Sequence, residues 1–117
     1  MTTTGDFETH EAWRAAAEMT GFIYGLEDRF PVDELPLLFS RLRAAAIDVG
    51  AALAGGIGRD GVGDDGRPSE ATRRETLGRL SELRHYVLTA RRQFFLDEHH
   101  AATFDDYCRR IGAALGG

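Results

Sequence analysis

The 117-residue chain contains no lysine; all fourteen of its basic residues are arginine. Arginine grips phosphate or carboxylate through a planar, two-point fork, and a bias in the coding sequence leaves the same signature. A single cysteine rules out any intramolecular disulfide, so the fold cannot depend on oxidation and a cytoplasmic setting is expected. No long apolar run is present: the weakly apolar stretch 44–58 is interrupted by Asp48 and loaded with glycine, so no membrane-spanning segment is expected. The opening MTTTGDFE lacks both a basic region and an apolar core, and no secretory leader is expected. The formal net charge of −5 opposes an undirected attraction to nucleic acid.

What is there is the composition of a globular protein, 43% hydrophobic and 28% charged, with length enough for one core. Apolar residues recur at intervals of three and four, the period of a helix packed on one side, and nowhere in the strict alternation of a strand. The spacing predicts helices over about 7–29, 33–54, 70–96 and 103–115. In the first, Ala12, Ala16, Met19, Ile23, Leu26 and Phe30 form a stripe widened by Trp13 and Tyr24, ending at Phe30-Pro31. The second opens at Asp33 with Pro36 in its first turn, runs through Leu35, Leu38, Leu42, Ala45, Val49 and Ala52, and is expected to stop at Gly55-Gly56. Its far half, AAAIDVGAALA, is small-sided enough for a neighbouring backbone to approach closely.

Residues 55–68 hold six glycines, one proline and three aspartates and are read as a flexible connection. Within them GGIGRDGVG spells one copy of a calcium-binding nonapeptide, and Gly56 to Gly61 spell G-x-G-x-x-G. The nonapeptide needs stacked copies to complete its coordination shells. The dinucleotide fingerprint needs a strand before it and a helix immediately after. Neither context is present. Ser69 or Thr72 restarts the third helix, whose seam is Leu77, Leu80, Leu83, Val87, Ala90 and Phe94. Thr103 with Asp106 opens the fourth as a capping box, with Phe104, Tyr107, Cys108, Ile111 and Leu115 on its apolar side. Four such helices predict an all-α, antiparallel up-down-up-down four-helix bundle as one domain over 1–117.

No arrangement of catalytic groups emerges, and no metal or cofactor is expected. Asp97-Glu-His-His100, with Asp105 and Asp106 nearby, lacks a metal-ligand spacing and reads as a solvated turn; Cys108 reads as a buried structural thiol, His85 as a surface residue and His10 as part of a first turn. Charge is uneven: residues 1–30 carry six acids against two arginines, residues 69–96 three acids against six. At about 100° per residue, Arg73, Arg84 and Arg91 fall on one flank of the third helix with Arg74, Arg92 and His85 beyond them. This strip is the candidate nucleic-acid surface; the other reading is that it pairs with Glu11, Glu18 and Glu27 of the same or a neighbouring subunit. Phe39, Tyr86 and Phe95 lie off the centres of their seams, available for assembly or for a wider core.

Several segments together resemble the bacterial four helix bundle protein family, which contains the 23S rRNA intervening-sequence proteins and is related to the accessory variability determinants of diversity-generating retroelements. FETHEAWRAAAEMTGFIYGLEDRFP, residues 7–31, resembles the family's F-x-x-L-x-x-W-x-x-A…I-Y-x-L…F-P. LGRLSELRHYVLTA, residues 77–90, resembles G-S-L-x-E-L-x-x-x-L-x-x-A, and Arg110-Ile-Gly112 resembles the closing R-I-G. In the middle motif R-R-A-A-x-S-I-P-x-N-I-A-E-G-x-G-R, Arg43, Gly56, Gly58 and Arg59 are kept, while Ala44, Asp48, Gly50, Ala52 and Gly55 stand where the family has Arg, Ser, Pro, Asn and Glu. The resemblance implies a four-helix bundle assembled as a ring, a homopentamer, and in the retroelement branch a partner of reverse transcriptase and RNA. The expected function is therefore a non-catalytic oligomeric scaffold or adaptor in a nucleoprotein assembly, with Arg73, Arg74, Arg84, Arg91 and Arg92 facing RNA or DNA. The alternative is a pure protein–protein or structural oligomer that binds no nucleic acid.

Overall fold

The computed structural model describes residues 6–116; the opening MTTTG and Gly117 lie outside them. Four α-helices enclose one core: α1 (Glu11–Tyr24), α2 (Ser40–Asp60), α3 (Glu70–Arg92) and α4 (Glu98–Leu115). Only α-, 3-10 and π-helical segments and one isolated bridge, Val62 with Pro68, occur among the described residues. Each helix packs on its chain neighbours and α4 closes back on α1, an all-helical architecture compatible with a four-helix bundle. The particle is elongated, 49 × 23 × 19 Å.

The α1 stripe is buried as its spacing predicts: Ala12, Ala16, Met19 and Ile23 are fully inaccessible, with Leu26 and Phe30 nearly so. The helix itself is shorter than 7–29, because a 3-10 turn at Phe7–Thr9 precedes it and Gly25 ends it. His10 forms the N-cap, its Nδ1 accepting from the Ala12 N–H at 3.0 Å. Tyr24 does not widen the stripe; it is 47% exposed, with the Arg43 guanidinium 5.9 Å from its ring centre.

The second helix differs from its expected bounds at both ends. Asp33 lies in a 3-10 turn and caps nothing. Leu35–Phe39 forms a wide π-type turn, in which the Ser40 N–H reaches back to Leu35 O. Pro36, with no N–H to give, belongs to this loosened entry. At the far end Gly55-Gly56 does not stop the helix. It continues to Asp60, and the stop is Gly61 at φ 68°, whose N–H bonds Ile57 O at 2.8 Å. The reason is packing: Gly56 is buried against Thr72 of α3, where a Cβ would lie 2.8 Å from the Thr72 Cβ. That close approach outweighs the roughly 1 kcal/mol that each glycine costs a helix interior.

The connection is consequently shorter than 55–68 and is held in shape. The Gly63 N–H bonds Arg67 O at 2.9 Å, Asp65 Oδ1 accepts from the Arg67 N–H at 3.0 Å, and Gly66 O lies 2.9 Å from His10 Nε2. Ser69, not Thr72, caps α3, its Oγ accepting from the Thr72 N–H at 3.2 Å. Beyond it the seam runs Thr72, Thr76, Leu80, Leu83, Val87, Ala90. Two expected members fall outside it: Leu77 is 47% exposed and Phe94 93%. At the start of the seam Thr72 lies against Gly56 of α2, an approach too close for a leucine. Thr76 Oγ1 donates to Thr72 O at 2.7 Å, so burial leaves its hydroxyl satisfied.

Helix α4 opens five residues earlier than expected. The Thr103–Asp106 box is not used; Asp97 accepts from the His100 N–H at 3.0 Å, and His100 Nδ1 accepts from the Asp97 N–H at 3.2 Å. Asp97-Glu-His-His100 is therefore a helix start rather than a solvated turn, with His100 buried as the reciprocal half of the cap.

Candidate nucleic-acid and partner interface

Helix α3 carries the five candidate arginines, and the structure gives them different surroundings. Arg73 is half-buried and donates to Pro68 O at 3.2 Å, bracing the entry to its own helix. Arg74 pairs with Glu70 at 2.8 Å, and Arg91 reaches Glu98 at the start of α4 at 3.1 Å. Both pairs are open to solvent, so they add little to stability and cost little to exchange for another anion. Arg84 and Arg92 are exposed, and among the described residues neither has a carboxylate within 4 Å. A hollow on the outer side of α3 gathers His85, Leu88, Thr89, Arg91 and Arg92. The basic strip thus holds two unengaged guanidiniums and two loosely engaged ones, with Arg73 committed to the fold.

The acids of α1 are not the partners of this strip within the subunit. Glu11 and Glu18 are taken by Arg110 of α4, at 3.2 Å and 3.0 Å, and the Arg110 guanidinium also sits 5.6 Å from the centre of the Tyr107 ring. The hydrogen bond from Arg110, and then its charge, hold the Glu18 carboxyl below the ordinary range. This clamp ties α1 to α4 across the chain. It carried no signal in the sequence, since nothing local links position 110 to positions 11 and 18.

Groups with chemical potential elsewhere are occupied structurally. His10 and His100 serve as caps. Among the described residues, no three His, Cys, Asp or Glu side chains come together as metal ligands. Cys108 is half-buried, and its thiol is pushed up to about 11, chiefly by burial and then by Asp105, with Arg84 opposing. Relative to an ordinary 9.0, the thiolate fraction at pH 8 falls roughly 100-fold. Cys108 is therefore expected to react with iodoacetamide about 100 times more slowly than a free thiol at that pH, as followed by intact mass. The sign for stability follows: the neutral thiol favours the folded state below pH 9, and that contribution is lost as pH rises through about 11.

Of the two uses open to them, the off-centre aromatics take the wider core. Phe39 is 1% exposed and packs on Phe30 with ring centres 5.2 Å apart; Tyr86 and Phe95 are half-buried. The large apolar side chains left open are Phe94, Val32, Leu37, Tyr24, Ile47, Leu77 and Leu88. Phe94 is also the one residue other than glycine with positive φ among the described residues, at 65°. A left-handed conformation costs such a residue roughly 1–2 kcal/mol. No helix of the described residues is long and apolar enough to cross a membrane. The chain matches no protein-family model and no curated protein.

Proposed function

We propose that the protein is a non-catalytic scaffold: an antiparallel up-down-up-down bundle that self-associates, in the ring the resemblance implies, and acts through its exterior in a cytoplasmic nucleoprotein assembly. The observation that carries the nucleic-acid part is the outer side of α3, where Arg84 and Arg92 lack carboxylate partners and Arg74 and Arg91 hold only solvent-exposed ones. Repeated around an oligomer, these side chains make a phosphate-binding surface despite the net charge of −5. Their chemistry suits RNA or DNA backbones, and the resemblance makes a reverse transcriptase the protein partner to try first. Helix order supports the antiparallel reading, since each helix packs on the next in the chain and α4 packs back on α1.

The test is fluorescence polarisation of a labelled single-stranded RNA against salt. Binding at 50 mM salt should weaken steeply by 200 mM, and Arg84→Glu with Arg92→Glu should cost at least about tenfold in affinity at low salt. No binding by the natural protein at low salt, or binding unchanged in the double variant, rejects this part. The second reading, a scaffold for proteins alone, is favoured by the open apolar side chains at the end of the bundle where Phe94, Val32 and Leu37 lie.

A further inference from the structure

We infer that the outer side of α3 takes single-stranded rather than double-stranded nucleic acid, seating one unstacked base on Leu88 and a second on Leu77. The inference rests on the phosphate-binding reading proposed above and adds which form of nucleic acid the strip selects. Leu77 and Leu88 are 47% and 43% exposed, and single exposed leucines are ordinary on a protein surface. These two are not scattered. They lie eleven residues apart, so three turns of helix bring them to within about 20° of the same side, about 16 Å apart along the axis. A pair of basic residues stands four and three positions before each, Arg73-Arg74 before Leu77 and Arg84-His85 before Leu88. Arg91 and Arg92 follow Leu88 at three and four positions, so basic groups border it on both the preceding and the following turn.

Leu88 lines a hollow of about 500 Å³ together with His85, Thr89, Arg91 and Arg92. The exposed His85 ring, its centre 5.4 Å from that of Tyr86, offers a flat face beside the leucine. Arg84 and Arg92 flank the site, and among the described residues neither has a carboxylate within 4 Å. The anion they complement therefore comes from another molecule.

A single strand alternates a charged phosphate with a base whose flat faces are largely apolar. This face of α3 alternates basic pairs with a leucine. Bases freed from stacking gain by covering apolar and ring surface while the phosphates on either side reach the arginines. A duplex keeps its bases stacked inside and turns phosphate and sugar toward the strip. Laid along the same arginines, it would set charge against two leucines and strip water from polar groups without replacing it. An acidic protein helix is the other anionic partner with apolar side chains. It docks through an apolar ridge recurring every three or four residues, whereas Gly78 and Ser81 lie between the two leucines on this side.

Fluorescence polarisation at low salt compares the natural protein with the double variant Leu77→Gln, Leu88→Gln. The probes are a labelled single-stranded RNA and the same strand annealed to its complement. The natural protein should hold the single strand at least about tenfold more tightly than the duplex, and the variant should lose about tenfold on the single strand alone. The slope of its remaining affinity against salt should stay the same, because the arginines that release counterions are untouched. Unchanged duplex affinity then shows that the variant is folded. Equal affinity of the natural protein for both forms, or a variant that keeps its hold on the single strand or weakens on both forms alike, overturns the base seats and leaves the phosphate reading standing. A natural protein that binds neither form overturns both.

Discussion

Gly56→Ala loses about 2–3 kcal/mol of folding stability, a large share of what a domain of this size has to lose. The added methyl carbon would lie 2.8 Å from the Thr72 Cβ, a separation that rotation of the threonine cannot relieve because the clash includes its branching atom. Thr72 is itself held by the Ser69 hydroxyl at 3.0 Å and sits wholly buried. Helices α2 and α3 must therefore move apart, and this contact is the most extensive in the molecule. Gly55 is the control. Gly55 is exposed and nothing lies within 4 Å of its added Cβ, so Gly55→Ala in the same helical turn should gain about 0.5–1 kcal/mol. In a Thr72→Ala background the penalty of Gly56→Ala should shrink by about 1 kcal/mol, only in part, since the Thr72 Cβ remains. Chemical denaturation of the four variants measures the set. Equal effects at the two adjacent glycines would show that helix propensity, not the close approach, governs this region.

Phe104→Ala is expected to cost about 3–5 kcal/mol. Phe104 is 1% exposed and is the largest side chain that α4 places in the core, with Ile111 and Leu115 completing its buried row. Removing the ring leaves a cavity in the one core cluster that Phe104 shares with Leu83 and Val87 of α3 and Ile23 of α1, and a close-packed core collapses only in part. Arg110 joins the same helix to α1 through two carboxylates, yet all three groups stand in solvent, and Arg110→Ala should change stability far less. The comparison separates apolar burial from the visible ion pairs as the cause of α4 docking. If thermal melts show the arginine change to be the more damaging of the two, the helix is held by charge and not by its core.

How much of this was legible depends on the range of the interaction. Helix number and the buried faces of α1 and α4 follow from a local period, so residues such as Met19, Ile23, Ile111 and Leu115 fall where their spacing puts them. The end of α2 is not legible locally, because Gly55-Gly56 has the form of a stop and only Thr72, sixteen positions on, makes a glycine there useful inside the helix. The seam of α3 shifts for the same reason: Thr72 fits against Gly56, Thr76 follows one turn on in the same buried face, and Leu77 turns outward. His100 at the third position of α4 is an uncommon partner for a capping aspartate, which hid the true start behind the more familiar Thr103 box. Phe94 continues the helical period two residues past the helix itself. Once α3 ends at Arg92, that period no longer says which way residue 94 faces.

For the candidate interface, the sequence placed all five arginines on one helix, and the structure distinguishes them by what they touch. Charge reversal is informative at Arg84 and Arg92, whereas at Arg73 it would also disturb the turn at Pro68. Under the proposed scaffold role these arginines act together only in an assembly, because repeated copies are needed to gather them into one surface.

Native mass spectrometry of the full chain, sprayed from low-micromolar solution, puts that to the most direct test. The account predicts a dominant species of several copies of the 12.9 kDa subunit, with five as the form the proposed ring takes. A spectrum containing only the 12.9 kDa chain across the concentration range would contradict it.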